Sequence, residues 1–238
     1  MLKRRPLEAW RALKRLIADP EDTAQVFVIM RALPGDALAR GTQRFERTAT
    51  GADMLRAPRD LVATLSDRAR LASLPEESLG RAYLALVERA GITAQGLVEV
   101  SETETDEYRQ LSERQIVYAR RLRDAHDVWH ALTGYGTDTL GEACLVAFSY
   151  AQTRNLGFAA IALIGALKIA KESGDRRVLR AVWRAYRDGR RAEWLPPIVW
   201  EELLEQPLQE VRQRLRIAAP VRYRAVRADR SAPVAQAA

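Results

Sequence analysis

Residues 123–145 read RDAHDVWHALTGYGTDTLGEACL: a helical pattern, a glycine-flanked turn, then a second helical pattern. His126 and His130 are the only two histidines of the chain. They stand at i and i+4, where side chains one helical turn apart are neighbours on one face. Asp127 lies about 60° from His130 around the axis at 100° per residue, so its carboxylate borders that face. Gly134-Tyr135-Gly136 ends the helix, and Asp138 or Thr139 can start another. The second helix carries Glu142 back past the first. The spacing predicts one metal site, with His126, Asp127, His130 and Glu142 as ligands between two adjacent antiparallel helices.

Each of these residues has an alternative role. A histidine pair at i,i+4 also serves as a half-buried polar pair. Thr139-x-x-Glu142 fits a capping box, in which the glutamate only closes a helix start. Asp127 can pair with Arg123. Placement favours the site: Ile116, Ala119, Leu122, His126 and Trp129 recur at helical spacing on a stripe expected to be buried. A buried imidazole needs a partner there.

Outward from this stretch, periods near 3.6 predict helices over 7–17, 22–32, 36–48, 51–57, 59–65, 68–73, 78–90, 112–133, 139–154, 155–173, 175–188 and 198–215. Ser112-x-x-Gln115 offers a capping box for the motif helix, after an acidic surface loop over 99–107. The predicted fold is all-α: a single-domain multi-helix bundle over 1–217, followed by an extended or disordered tail over 218–238. With 238 residues, 47% of them hydrophobic, and no central Ser/Gly linker, the chain suits one core. The single cysteine, Cys144, excludes an intramolecular disulfide framework and falls in an apolar run, which suits a buried small side chain. A reducing cytoplasm is compatible with that usage. We find no signal-peptide hydrophobic region and no run of the roughly 18 to 20 apolar residues that a spanning helix needs.

Leu156–Leu167 is apolar on every face. Such a helix requires a large core, a lipid surface or a lipid-like ligand. Net charge is +7, and two basic stripes stand out. Lys3, Arg4, Arg5, Arg11, Lys14 and Arg15 surround Leu7, Trp10, Leu13 and Ile17, so residues 1–17 suit an amphipathic helix on an anionic membrane surface. Arg176, Arg180, Arg184, Arg187 and Arg191 share one helical face, which a solvated surface explains. Nucleic acid is excluded as a partner, because the acidic residues are interspersed and no recognised binding module accompanies the charge.

The motif residues carry a family resemblance. His126-Asp127-x-x-His130, followed after eleven residues by Glu142, with Leu132-Thr133-Gly134-Tyr135 and Leu140-Gly141-Glu142 between, resembles the ubiquinone (coenzyme Q) biosynthesis protein 4 family. Leu74-Pro75 with Ser78-Leu79-Gly80-Arg81-Ala82-Tyr83 is similar to that family's upstream signature. The resemblance runs from about residue 20 to about 218. It implies His126, Asp127, His130 and Glu142 as metal ligands and as the catalytic set. It further implies C1 decarboxylation of a 4-hydroxy-3-methoxy-5-polyprenylbenzoate, coupled to hydroxylation there. Mixed nitrogen and oxygen ligation suits a divalent metal, zinc foremost, with iron or manganese as alternatives. The partners it implies are a polyprenylated benzoate or quinone precursor, other ubiquinone-biosynthesis proteins, a membrane surface and a second copy of the chain as a homo-oligomer. Localisation would be cytoplasmic, peripheral on the inner face of a bacterial membrane. The competing class is a non-catalytic, prenyl-lipid-binding scaffold that organises a biosynthetic complex around a structural metal. A metal-dependent phosphohydrolase, suggested by the His126-Asp127 doublet, would need further histidines that the chain lacks.

Overall fold

The computed structural model describes residues 5–18, 25, 28–29, 32–33, 36–94 and 111–231. The loop expected over 99–107, most of the helix expected over 22–32, and the residues after Ser231 lie outside that set. All regular elements described are helices: α1 Pro6–Ala18, α2 Ala37–Glu46, α3 Ala49–Arg56, α4 Leu61–Ser66, α5 Arg68–Ser73, α6 Leu79–Ala90, α7 Glu113–Asp124, α8 His126–Thr133, α9 Thr139–Thr153, α10 Leu156–Ser173, α11 Arg177–Arg191, α12 Leu208–Arg214 and α13 Val221–Ser231. The all-α, single-domain reading is correct.

Local chemistry sets the starts. Asp60, Asp67, Ser78 and Asp138 each accept the backbone N–H three residues on, as N-cap side chains do. Ser112 and Gln115 form the expected capping box. Packing sets the rest. α9 is the central element, with Leu140, Cys144, Leu145 and Phe148 essentially inaccessible to solvent, and it lies against α10 and α11. α6 packs on α8, and α13 on α11 and α9.

Three expectations need correction. The helix expected over 112–133 is two helices, α7 and α8, interrupted at Ala125, whose N–H is shared between the carbonyls of Arg121 and Arg123. The helix expected over 198–215 is a 3-10 turn at Trp200–Glu202 followed by α12. Pro207 has no N–H to continue a helix, and the bend serves the upstream motif: Leu79 N–H donates to Gln206 O (2.9 Å) and Gly80 N–H to Leu204 O (2.8 Å). The stretch read as a tail contains α13, which buries Tyr223 and Val226. Its arginines masked a short apolar i,i+3 stripe. Of the surroundings left open for α10, a fully enclosing core is not the one observed: Leu156, Leu163 and Leu167 are exposed, Leu163 at 60%. α1 covers only part of α10, with Ile161 and Ile164 packed against the cluster that contains Ala12 and Leu13.

α7 is anchored next to the site by a buried fork. Arg121 Nη1 and Nη2 donate to Glu201 Oε1 and Oε2 at 2.7 and 2.8 Å, and Nη2 also donates to Ile198 O at 2.9 Å. Burial alone would push the Glu201 carboxyl up, but the hydrogen bonds and charge of Arg121 hold it below the usual 4.5. A carboxyl depressed in the folded state contributes stability in full above its unfolded pKa and loses it as pH falls through the folded value. Glu201→Gln leaves Arg121 buried without its counter-charge and should cost about 3 kcal/mol at pH 7. Urea unfolding at several pH values checks this: the gap between wild type and variant should close in acid, below about pH 4.5.

Candidate metal centre

His126 opens α8, His130 lies one turn on, and Glu142 lies one turn into α9. One ligand atom from each falls within 4.8 Å of the other two. His130 Nε2 stands 3.1 Å from Glu142 Oε1, and His126 Nε2 stands 3.9 Å from Glu142 Oε2. The imidazole rings meet edge to face with centroids 4.8 Å apart.

Both tautomers are set from behind. His126 Nδ1–H donates to Asp127 Oδ1 at 3.1 Å, and His130 Nδ1–H donates to the Tyr135 carbonyl at 3.1 Å. With the Nδ1 protons so placed, both Nε2 lone pairs point into the site. Asp127, expected as a fourth ligand, is not in the converging group. It stands behind His126 as the carboxylate that orients and polarises the ring. Glu142 caps nothing, because Asp138 is the N-cap residue of α9, its Oδ1 accepting from Gly141 N–H at 3.1 Å.

The electrostatics favour a cation. For His126, burial would lower the pKa, but the hydrogen bond to Asp127 and the negative charge of Glu142 and Asp127 raise it. For Glu142, burial would raise the pKa, but His130 and then His126 lower it. Asp127 is likewise pushed up by burial and brought down further by His126 and His130, to a net lowering. His130 Nε2 is fully buried and has no hydrogen-bond partner of acceptable geometry, yet a carboxylate oxygen faces it. Two acceptors at that separation repel unless positive charge lies between them. A divalent ion satisfies both, so the residues fit a metal. His130 is sealed, whereas the side chains of His126 and Glu142 are 29% and 42% exposed. The site is therefore reachable from solvent on that side.

The turn joining the ligand helices is tightly built. Gly134 adopts the left-handed conformation, φ 76°, which ends α8 cheaply only at glycine. A Cβ on Gly141 would lie 2.0 Å from the Gly136 carbonyl oxygen, so position 141 admits no side chain. Arg212 Nε and Nη2 donate to the Leu132 and Ala131 carbonyls at 2.7 and 3.3 Å, closing the end of α8. Neither Arg212 nor the Tyr135 carbonyl was foreseeable from spacing, since Arg212 bonds to backbone carbonyls and the Tyr135 group is itself one.

A family model for "Coenzyme Q (ubiquinone) biosynthesis protein Coq4" matches residues 2–221. The chain belongs to the Coq4 family. Among its curated relatives, the Bos taurus mitochondrial ubiquinone biosynthesis protein COQ4 homolog is 32% identical over 198 residues, covering 80% of this chain and 71% of the bovine protein. The Aspergillus terreus mitochondrial ubiquinone biosynthesis protein coq4 is 30% identical, covering 75% of this chain and 59% of the fungal one. The chain thus spans well under two thirds of this fungal relative. A crystal structure of a candidate ubiquinone biosynthesis protein from Nostoc punctiforme superposes with a TM-score of 0.66 at 20% identity, covering 91% of this chain and all of that one. That likeness bears on the fold. Coq4 proteins act in ubiquinone biosynthesis, and the named bovine and fungal relatives are mitochondrial. Among the described residues no helix is long and apolar enough to cross a membrane.

Proposed function

We propose that this Coq4 protein is a metal-dependent decarboxylase that removes the C1 carboxyl of a 4-hydroxy-3-methoxy-5-polyprenylbenzoate. The observation that carries this reading is the solvent-reachable convergence of two Nε2 lone pairs and one carboxylate on a single point. A three-residue ligand set of this kind leaves a coordination position for substrate. A bound divalent ion would supply Lewis-acid charge where the substrate carboxylate or an adjacent oxygen lies. The protein's own residues do the positioning: Asp127 and the Tyr135 carbonyl hold the imidazoles, and buried His130 fixes one wall. Breaking the bond from C1 to the carboxyl carbon releases carbon dioxide and leaves the electron pair on C1, where a proton takes it up. Zinc is the first choice of metal, with iron or manganese as alternatives.

The exposed apolar surface of α10 supports a polyprenyl tail as the apolar part of the substrate. Ala143, next to Glu142, lies under Gly165 of α10, where an added Cβ would stand 3.9 Å from the Ala143 Cβ. On the opposite face of α10, Leu156, Leu163 and Leu167 are exposed, and a groove of about 500 Å³ between α1 and α10 is lined by Ile17, Ile164, Leu167, Lys168, Lys171 and Glu172. The test is direct. Purified protein loaded with zinc, iron or manganese is given the prenylated benzoate in lipid vesicles, and products protonated or hydroxylated at C1 are scored by mass spectrometry. Turnover with none of the three metals would leave the scaffold reading in possession.

The membrane surface is part of the same proposal. Leu7 and Trp10 of α1 are 73% and 53% exposed, beside the basic side chains Arg11, Lys14 and Arg15. Liposome flotation should show binding to anionic vesicles that weakens with salt. The Leu7→Ser/Trp10→Ser double variant should bind at least tenfold more weakly, what half-burial of two large apolar side chains at about 0.8 kcal/mol each predicts. Equal binding would move the contact elsewhere.

A further inference from the structure

We propose that Tyr223, on the last helix, is a positioning residue for the metal centre: its phenol pins the turn between the ligand helices and so sets how tightly the ion is held. The inference rests on the metal reading above. Tyr223 is buried, at 2% exposure. Its hydroxyl accepts from Gly136 N–H at 2.9 Å and donates to Asp138 Oδ2. The same Asp138 oxygen is 3.4 Å from Arg227 Nε, also on α13. Tyr135 meets the Tyr223 ring edge to face, with centroids 5.6 Å apart.

Each of these contacts leads to a ligand. Tyr135 supplies the carbonyl that orients His130. Asp138 caps α9, and its carbonyl accepts Glu142 N–H at 2.9 Å. One phenol therefore braces both sides of the shortest ligand separation in the site. Removing it leaves the Gly136 N–H without a partner and Asp138 short of one acceptor interaction, so the turn can shift and carry the His130 ring and the start of α9 with it.

Tyr223→Phe tests this, since phenylalanine keeps the buried ring and removes only the hydroxyl. Zinc dissociation constants of the full chain, measured by chelator competition, should rise about tenfold, the lower end of what supporting residues contribute. Amide exchange at Gly136, followed by NMR in metal-free protein, should accelerate. The control is Asp229→Asn. It breaks the Arg177 Nη1 to Asp229 Oδ2 pair, 2.6 Å long, that ties the same helix to α11. It should leave zinc affinity within twofold and Gly136 exchange unchanged. Unchanged zinc affinity in Tyr223→Phe overturns the proposal, and so does equal weakening in both variants, which would mean that docking of the helix alone matters. A wild-type chain that binds no zinc, iron or manganese would instead bring down the metal reading itself, and this inference with it.

Discussion

His130→Ala should purify with no more than about a tenth of the wild-type metal content, because it deletes the one ligand that is both sealed from solvent and oriented by a backbone carbonyl. The loss has two components, and they can be separated. Truncating a fully buried imidazole leaves a cavity, which costs about 2–4 kcal/mol whatever the site does. Ligand loss is specific: metal at 100 times its dissociation constant stabilises the wild type by about 2.7 kcal/mol, and His130→Ala should show no such gain on adding metal. Elemental analysis combined with thermal unfolding, with and without metal, reads both. Metal content equal to wild type would leave His130 as an ordinary core histidine paired with Tyr135.

The sequence was informative where chemistry is local and weak where it is not. Histidines at i,i+4, a glycine turn and a glutamate beyond it forecast the convergence of His126, His130 and Glu142, because the period of a helix and the reach of a short turn leave few alternatives. Asp127 shows the limit of that reasoning. Its angular position borders the ligand face, but a short carboxylate next to His126 is taken up by that ring's Nδ1–H. The all-helical core was legible for the same reason that the surroundings of α10 stayed open. Composition reports that Leu156–Leu167 is apolar, but whether the fold covers it depends on α1 and on helices remote in sequence. The break at Ala125 turns on one shared N–H, which no pattern of side chains encodes. α13 was invisible because its arginines outnumber Tyr223 and Val226, the two residues that dock it.

Glu142→Gln should abolish conversion while leaving the fold standing, and the magnitudes say why the two effects separate. Glu142 sits in the first turn of α9 with its side chain 42% exposed. There a carboxylate contributes no more than about 1 kcal/mol through the helix dipole, and glutamine fits the same space. At the site, the change removes the only carboxylate among the three converging groups and with it the charge that would hold a divalent ion between His126 and His130. Losing one such electrostatic partner is worth about a hundredfold or more in rate. The assay replaces a ubiquinone-deficient host's own family member with wild type or variant and follows the prenylated benzoate by mass spectrometry. Accumulation of the carboxylated compound with a normally folded, membrane-recovered variant is the expected result. Wild-type ubiquinone with no accumulation would remove the catalytic role from this centre, and the chain would then stand as an organiser whose metal-binding groups serve its structure.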